Sequence, residues 1–113
     1  MITIYHNPRC SKSREGIQLL ESKGKSFKVV KYLKELLDKE ELKNLIEKLG
    51  IAPIELVRKN EAIWKKDYKN TNLTDDALIE IMVQYPNLIE RTIVVNGDKA
   101  IVGRPADAIE KIL

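Results

Sequence analysis

This chain has one cysteine, one histidine and few aromatic residues: one Trp, one Phe and four Tyr. A single cysteine excludes an internal disulfide. Small secreted domains more often carry several, so the expected setting is reducing and cytoplasmic. One histidine and one cysteine are too few for a zinc site, and no carboxylate cluster stands in for them, so no metal is expected. No apolar run approaches the ~18 residues that a membrane span needs. The start, Met1-Ile2-Thr3-Ile4-Tyr5, lacks the basic region and cleavage pattern of a secretory leader. Charge is only mildly one-sided, at a formal net of +3. Lysines are interspersed with glutamates, as in Lys39-Glu40-Glu41 and Glu47-Lys48. With so few aromatics among the cations, a solvated mixed surface is the better reading than a nucleic-acid footprint.

What is present suffices for one folded domain: 113 residues, of which 43% are hydrophobic. Ile2 to Tyr5 reads as a strand, and His6 to Arg9 as a loop in which Pro8 keeps Asn7 out of the helical region. A helix is expected from Ser11 to about Lys23, with Ile17, Leu19 and Leu20 on its apolar side and Gly24 at its end. Phe27 to Tyr32 reads as a second strand, which makes a parallel βαβ unit. Asp38 and Glu41 cap a helix whose Leu42, Leu45, Ile46 and Leu49 share one face, and Gly50 ends it. Pro53 opens a short helix through Val57, and another is read over Glu61 to Asp67. Thr74 caps a third helix, with Leu78, Ile79, Met82 and Tyr85 inward and Pro86 closing it. Ile93-Val94-Val95 is a strand, Asn96-Gly97 a hairpin turn and Lys99 to Val102 the returning strand. Gly103 breaks that strand, and Pro105 opens a last helix that buries Ile109, Ile112 and Leu113. The predicted organisation is one α/β domain, residues 1–113, ordered β-α-β…β-β-α around a mixed sheet. A helical insertion over roughly 36–86 is packed onto it.

Cys10 falls where the first strand hands over to the first helix. A helix N-terminus offers unpaired N–H groups and the positive end of the dipole, both of which favour a thiolate. Arg9, Lys12 and Arg14 add nearby charge. A lone cysteine is commonly a small buried hydrophobe, but a core filler is not usually bracketed by cations and serines. A cysteine in the first turn of this topology is the arrangement of a thioredoxin-like redox site. Ser13 occupies the place of a second cysteine, so a redox cycle at Cys10 needs an outside thiol such as glutathione.

The run His6-Asn7-Pro8-x-Cys10-x-x-Ser13-Arg14 resembles the active-site segment of the glutaredoxin-coupled arsenate reductases. The resemblance spans the chain. It continues through Tyr32-Leu33, Leu56-Val57-Arg58-Lys59-Asn60, Leu73-Thr74-Asp75-Asp76 and Leu88-Ile89-x-Arg91-x-Ile93-Val94-Val95, and it ends in Gly103-Arg104-Pro105. Together these pieces are similar to the arsenate reductase and Spx-like superfamily. The resemblance implies a thioredoxin-like fold, Cys10 as nucleophile, and Arg58, Arg91 and Arg104 as ligands of the oxyanion. Arginine suits that task because its planar fork stays charged and engages two oxygens at once. His6, Ser13 and Arg14 are implied as supporting residues. His6 either tunes the thiol or fixes the loop. Ser13 either donates to the thiolate or bonds the backbone.

The implied activity is reduction of arsenate, or a similar oxyanion, with glutathione as co-substrate, glutaredoxin as partner and no bound cofactor. Two other readings are a glutathione-dependent thiol reductase with a different substrate and an Spx-like module that binds RNA polymerase. Regulators of the last kind usually carry a two-cysteine switch, which Ser13 removes. One position departs from the pattern. Many members carry a proline, typically cis, after the residue matching Arg91, whereas this chain has Thr92. A cis bond before a non-proline residue costs about 2.5–4 kcal/mol, so a trans bond is expected here.

Overall fold

Four short strands form one mixed sheet in the order β2-β1-β3-β4: β1 (Ile2–Tyr5), β2 (Phe27–Val30), β3 (Ile93–Asn96) and β4 (Lys99–Val102). This computed structural model describes residues 2–35, 37–69, 71–103 and 106–113. Strand β1 pairs parallel with β2, placing Ile2 opposite Phe27 and Ile4 opposite Val29. It pairs antiparallel with β3, placing Ile4 opposite Val94, and β3 pairs antiparallel with β4. The parallel pair needs a crossover, which helix α1 (Ser11–Ser22) supplies. The chain therefore has the α/β order β-α-β…β-β-α that the sequence predicts.

The chain divides into two compact units, Met1–Glu35 with Arg91–Leu113, and Leu36–Glu90. The first holds the sheet. Its core is Ile2, Ile4, Leu20, Val94 and Ile109, with Ile17, Leu19, Phe27, Val29, Ile112 and Leu113 packed against it. Alternation puts Ile2 and Ile4 inside, while central β3 buries three consecutive apolar residues. The buried stripe of α1 is Ser13, Gly16 and Leu20, spaced i, i+3, i+7. The predicted apolar side, Ile17, Leu19 and Leu20, packs on this core, and beside Leu20 the most deeply buried positions are small because small residues admit close neighbours. A Cβ on Gly16 would stand 3.3 Å from both Ile109 Cδ1 and Thr92 Cγ2, and 3.4 Å from Ile4 Cδ1.

In the Leu36–Glu90 unit, helix α2 (Lys39–Leu49) is capped by Asp38, whose Oδ1 accepts the Glu41 N–H at 2.8 Å. Gly50 closes it at φ 68°, the left-handed conformation a helix end favours in glycine. Helix α3 (Asp75–Gln84) is capped by Thr74, whose Oγ1 accepts the Ala77 N–H at 3.2 Å. The two helices pack together and bury Leu42, Leu45, Ile46, Leu78, Ile79 and Met82. Among the described residues no helix is long and apolar enough to cross a membrane.

Several boundaries differ from the sequence reading. Strand β2 stops at Val30, because Lys31 O accepts the N–H groups of Lys34 and Glu35 and turns the chain. The helix expected over Glu61 to Asp67 contains a π turn, Trp64–Tyr68. The hairpin loop is Gly97-Asp98, since Asn96 still pairs with Lys99. Gly97 takes φ 65°, as the first loop position of a type II′ turn requires. The last helix, Ala106–Ile112, is of 3₁₀ type. Pro105, predicted to open it, lies outside the described residues, as does Arg104.

Close packing gives a direct test. A Cβ on Gly103 would stand 3.0 Å from both Cδ1 and Cγ1 of Ile109. Gly103→Ala is expected to lower the unfolding free energy by about 1–3 kcal/mol through overpacking. In a denaturant-melt double-mutant cycle, Ile109→Val, which removes Cδ1, should couple favourably with it. Strict additivity would contradict this packing.

Candidate active site

The loop between β1 and α1 is organised by Asn7, which is buried. Its carbonyl accepts the Cys10 N–H at 3.0 Å, and its side-chain Oδ1 accepts the Arg9 N–H at 3.0 Å. Its own N–H donates to Ser13 Oγ at 3.0 Å. Pro8 restricts it from the other side. Sequence reading placed Asn7 in the loop and missed this role. The available clue was an Asn-Pro pair, whose side chain readily mimics a backbone turn.

These bonds set Cys10 at the N-cap of α1, with extended backbone at φ −97° and ψ 121°. Its carbonyl accepts the Arg14 N–H at 3.1 Å. The residue is half-buried and is a free thiol. Burial pushes the thiol pKa up. The Ser13 N–H, the charge of Arg91, the Lys12 N–H and an Arg91 hydrogen bond act the other way, and the net pKa lies below the ordinary thiol value. The stabilising cation is therefore Arg91, from the segment entering β3. Of the cations adjacent in sequence, Lys12 pairs with Glu15 at 3.7 Å, and Arg14 Nη1 donates to Pro8 O at 2.9 Å, bracing the loop. Arg91 is half-buried, and its Nε is buried with no acceptor among the described residues.

Ser13 is fully buried, at 0% exposure, so each of its valences must be matched. Its Oγ accepts from the Asn7 N–H and from the Thr92 hydroxyl. His6 Nδ1 lies 2.6 Å from the same oxygen, within hydrogen-bond distance. The Ser13 contribution to the sulfur is therefore its backbone N–H, while its hydroxyl is committed elsewhere. His6 is buried, and burial together with the charges of Lys31 and Arg14 holds its pKa below the ordinary imidazole value. The charged imidazolium is therefore disfavoured. His6 thus serves as a hydrogen-bonded member of the loop and not as a cation beside the thiol.

Thr92 corrects an expectation. The Arg91–Thr92 peptide bond is cis. Thr92 is fully buried, its carbonyl accepts the Gly103 N–H at 2.6 Å, and its hydroxyl is bonded to Ser13. Burial and these bonds fix its conformation where an isolated bond would choose trans. Sequence reading singled out the position but not the hydroxyl's partner.

Arg58 belongs to the Leu36–Glu90 unit. Its side chain is 18% exposed; Nη1 meets Glu61 at 2.9 Å and Nε meets Glu90 at 3.2 Å. Its charge is thus opposed by two carboxylates. That unit also has a cleft of about 640 Å³ floored by Trp64, Leu73 and Leu78 and rimmed by Lys59, Lys65 and Lys69, with no cysteine or histidine. Among the described residues no group of three or more His, Cys, Asp or Glu is placed to hold a metal.

Residues 5–112 match the model of the ArsC family. The chain is 45% identical to an arsenate reductase of Neisseria meningitidis, over 99% of this chain and 97% of that protein. It is 40% identical to an arsenate reductase of Haemophilus influenzae, over 99% and 98%. Among solved structures it superposes on an arsenate reductase from Vibrio cholerae with a TM-score of 0.94 and 43% identity, covering 99% of this chain and 97% of that one.

Replacing Arg91 by Gln should raise the Cys10 pKa, read from the pH dependence of thiol alkylation. Thr92→Val, which leaves Ser13 one donor short, should cost about 1–3 kcal/mol of stability. The linkage has a definite sign. The folded chain holds this thiol at a lower pKa than the unfolded chain, so it binds fewer protons between the two values. Its contribution to stability is complete above the ordinary thiol pKa and is lost as pH falls through the lowered one. In denaturant melts across pH, Arg91→Gln should narrow that window; an unchanged window would remove Arg91 from the account of the sulfur.

Proposed function

The chain belongs to the ArsC family, and from that membership we propose that it is an arsenate reductase whose nucleophile is Cys10 and whose electrons come from glutathione. One observation carries the residue assignment: a half-buried sulfur with lowered pKa stands at a helix N-terminus beside the guanidinium of Arg91. That pairing suits a tetrahedral oxyanion. The thiolate supplies the attacking electron pair, and the arginine N–H groups oppose the charge on the oxygens as the bond forms. Arg91 Nε, buried and without an acceptor among the described residues, is a donor that an anion's oxygen would satisfy.

The proposed sequence begins when the Cys10 thiolate bonds to arsenic(V) and an oxygen leaves as water. A glutathione thiolate then attacks the Cys10 sulfur, and the sulfur–arsenic electron pair passes to arsenic. Arsenic(V) becomes arsenic(III), two thiols become one disulfide, and arsenite leaves. Glutaredoxin reduces the Cys10–glutathione disulfide and restores the thiol. Ser13 Oγ is committed to His6, Asn7 and Thr92, so it acts here by holding the loop. Arg58 and Arg104 remain oxyanion ligands by family likeness. For Arg58, such a role means that an anion competes with Glu61 and Glu90.

The test is arsenate-dependent NADPH oxidation coupled through glutathione, glutaredoxin and glutathione reductase. Saturable activity is expected, with Cys10→Ser at background. Arg91→Lys keeps the charge but loses the fork, and should lower kcat by about 10²–10³, the usual cost of one oxyanion donor. A folded chain with reactive Cys10 and no arsenate dependence would instead favour a thiol reductase with another substrate.

A further inference from the structure

A second cleft, of about 340 Å³, opens on the sheet-bearing unit beside the active-site loop. It is lined by the buried His6 and Asn7, by Pro8 and Leu33, and by the cations Arg9, Lys31 and Lys34. Among the described residues no carboxylate lines it. Cys10 and Arg91 do not line it either, so it is separate from the pairing assigned to the oxyanion. Two backbone bonds from Lys31 O, to the N–H of Lys34 at 2.9 Å and of Glu35 at 2.8 Å, hold both lysines on one turn. The Asn7–Arg9 bond holds the third cation on the loop, one residue before Cys10. The volume is near the lower end of the ~300–1,000 Å³ typical of small-molecule sites. It is too large for a bare oxyanion and too small for a folded protein.

From this cleft we infer that the chain has a built docking site for glutathione, in which Arg9, Lys31 and Lys34 receive its two carboxylates and Pro8 and Leu33 its methylenes. The inference rests on the proposed use of glutathione at Cys10. The bound tripeptide's charge complements the rim, and the Arg9–Cys10 adjacency keeps its sulfur near the nucleophile.

A reaction without arsenate tests the site separately. The Cys10 thiolate attacks one sulfur of glutathione disulfide. One S–S bond breaks, the Cys10–glutathione S–S bond forms, and a glutathione thiolate leaves, with no other oxidant required. The rate is followed by intact mass on the full chain, beside that with uncharged 2-hydroxyethyl disulfide. The ratio of the two rates removes any change in Cys10 itself. The intact protein should favour glutathione disulfide. Lys31→Glu with Lys34→Glu should lower the ratio by about tenfold, since each exposed charge contact is worth a factor of a few and both are reversed. Lys28→Glu, an exposed β2 cation outside the cleft, should leave it unchanged. An unchanged ratio in the double variant, or an equal loss in Lys28→Glu, overturns the site. A lack of arsenate turnover would overturn the proposed function without touching this result.

Discussion

The hydroxyl of Ser13 is the point on which the active-site geometry depends. It is fully buried and has three hydrogen-bond partners: it accepts from the Asn7 N–H and the Thr92 hydroxyl, and it lies within hydrogen-bond distance of His6 Nδ1. A buried hydroxyl left partly unmatched costs about 1–3 kcal/mol. Each partner is therefore held in place by the other two. Through this one oxygen the β1–α1 loop, the first turn of α1 and the segment entering β3 form a single unit. Gly16, one turn further along, lets Thr92 Cγ2 and Ile109 approach the helix. Cys10 makes none of these bonds, but each of them determines where its sulfur lies.

Given that frame, the sulfur responds to backbone dipoles and one half-buried arginine more than to the cations beside it in sequence. Solvent-exposed charges are screened over about 10 Å at ordinary salt, whereas partly buried ones are screened much less. Arg14 is tied to the loop carbonyl of Pro8, and Lys12 leans toward Glu15. Arg91, which lies far away in sequence, contributes both charge and a hydrogen bond to the sulfur. The cations of the β1–α1 loop and of the turn after β2 instead rim a separate cleft. Of the cations that cluster around Cys10 along the chain, Arg9 thus lines a cleft apart from the sulfur, and Lys12 and Arg14 have other partners.

The Leu36–Glu90 unit shows how far local rules reach. Asp38 and Thr74 cap their helices through N–H groups three residues on, and Gly50 ends α2 in the left-handed region. The apolar spacing of Leu42, Leu45 and Ile46 is the face that is buried. Each of these features involves residues within one or two turns of each other, so each leaves a pattern in the sequence. The π turn at Trp64–Tyr68 leaves no such mark, because its hydrogen-bond period differs from that of an α-helix by one residue while the composition stays the same.

The sequence by itself determined the strands, the capped helices, the hairpin and the place of Cys10 at a helix start, because each of these rests on short-range periodicity, capping or turn chemistry. Likeness to a family, and not any local pattern, pointed to Arg91. Only the tertiary structure decided that Thr92 meets Ser13 across 79 positions of chain, that burial lowers the His6 pKa, that Arg58 faces two carboxylates, and that Ser13 and Gly16 are buried on α1 beside Leu20. The physical reason is the same in each case. A buried hydrogen bond or charge pair is chosen by what the folded chain brings within about 3 Å, and residues far apart in sequence carry no local sign of that meeting.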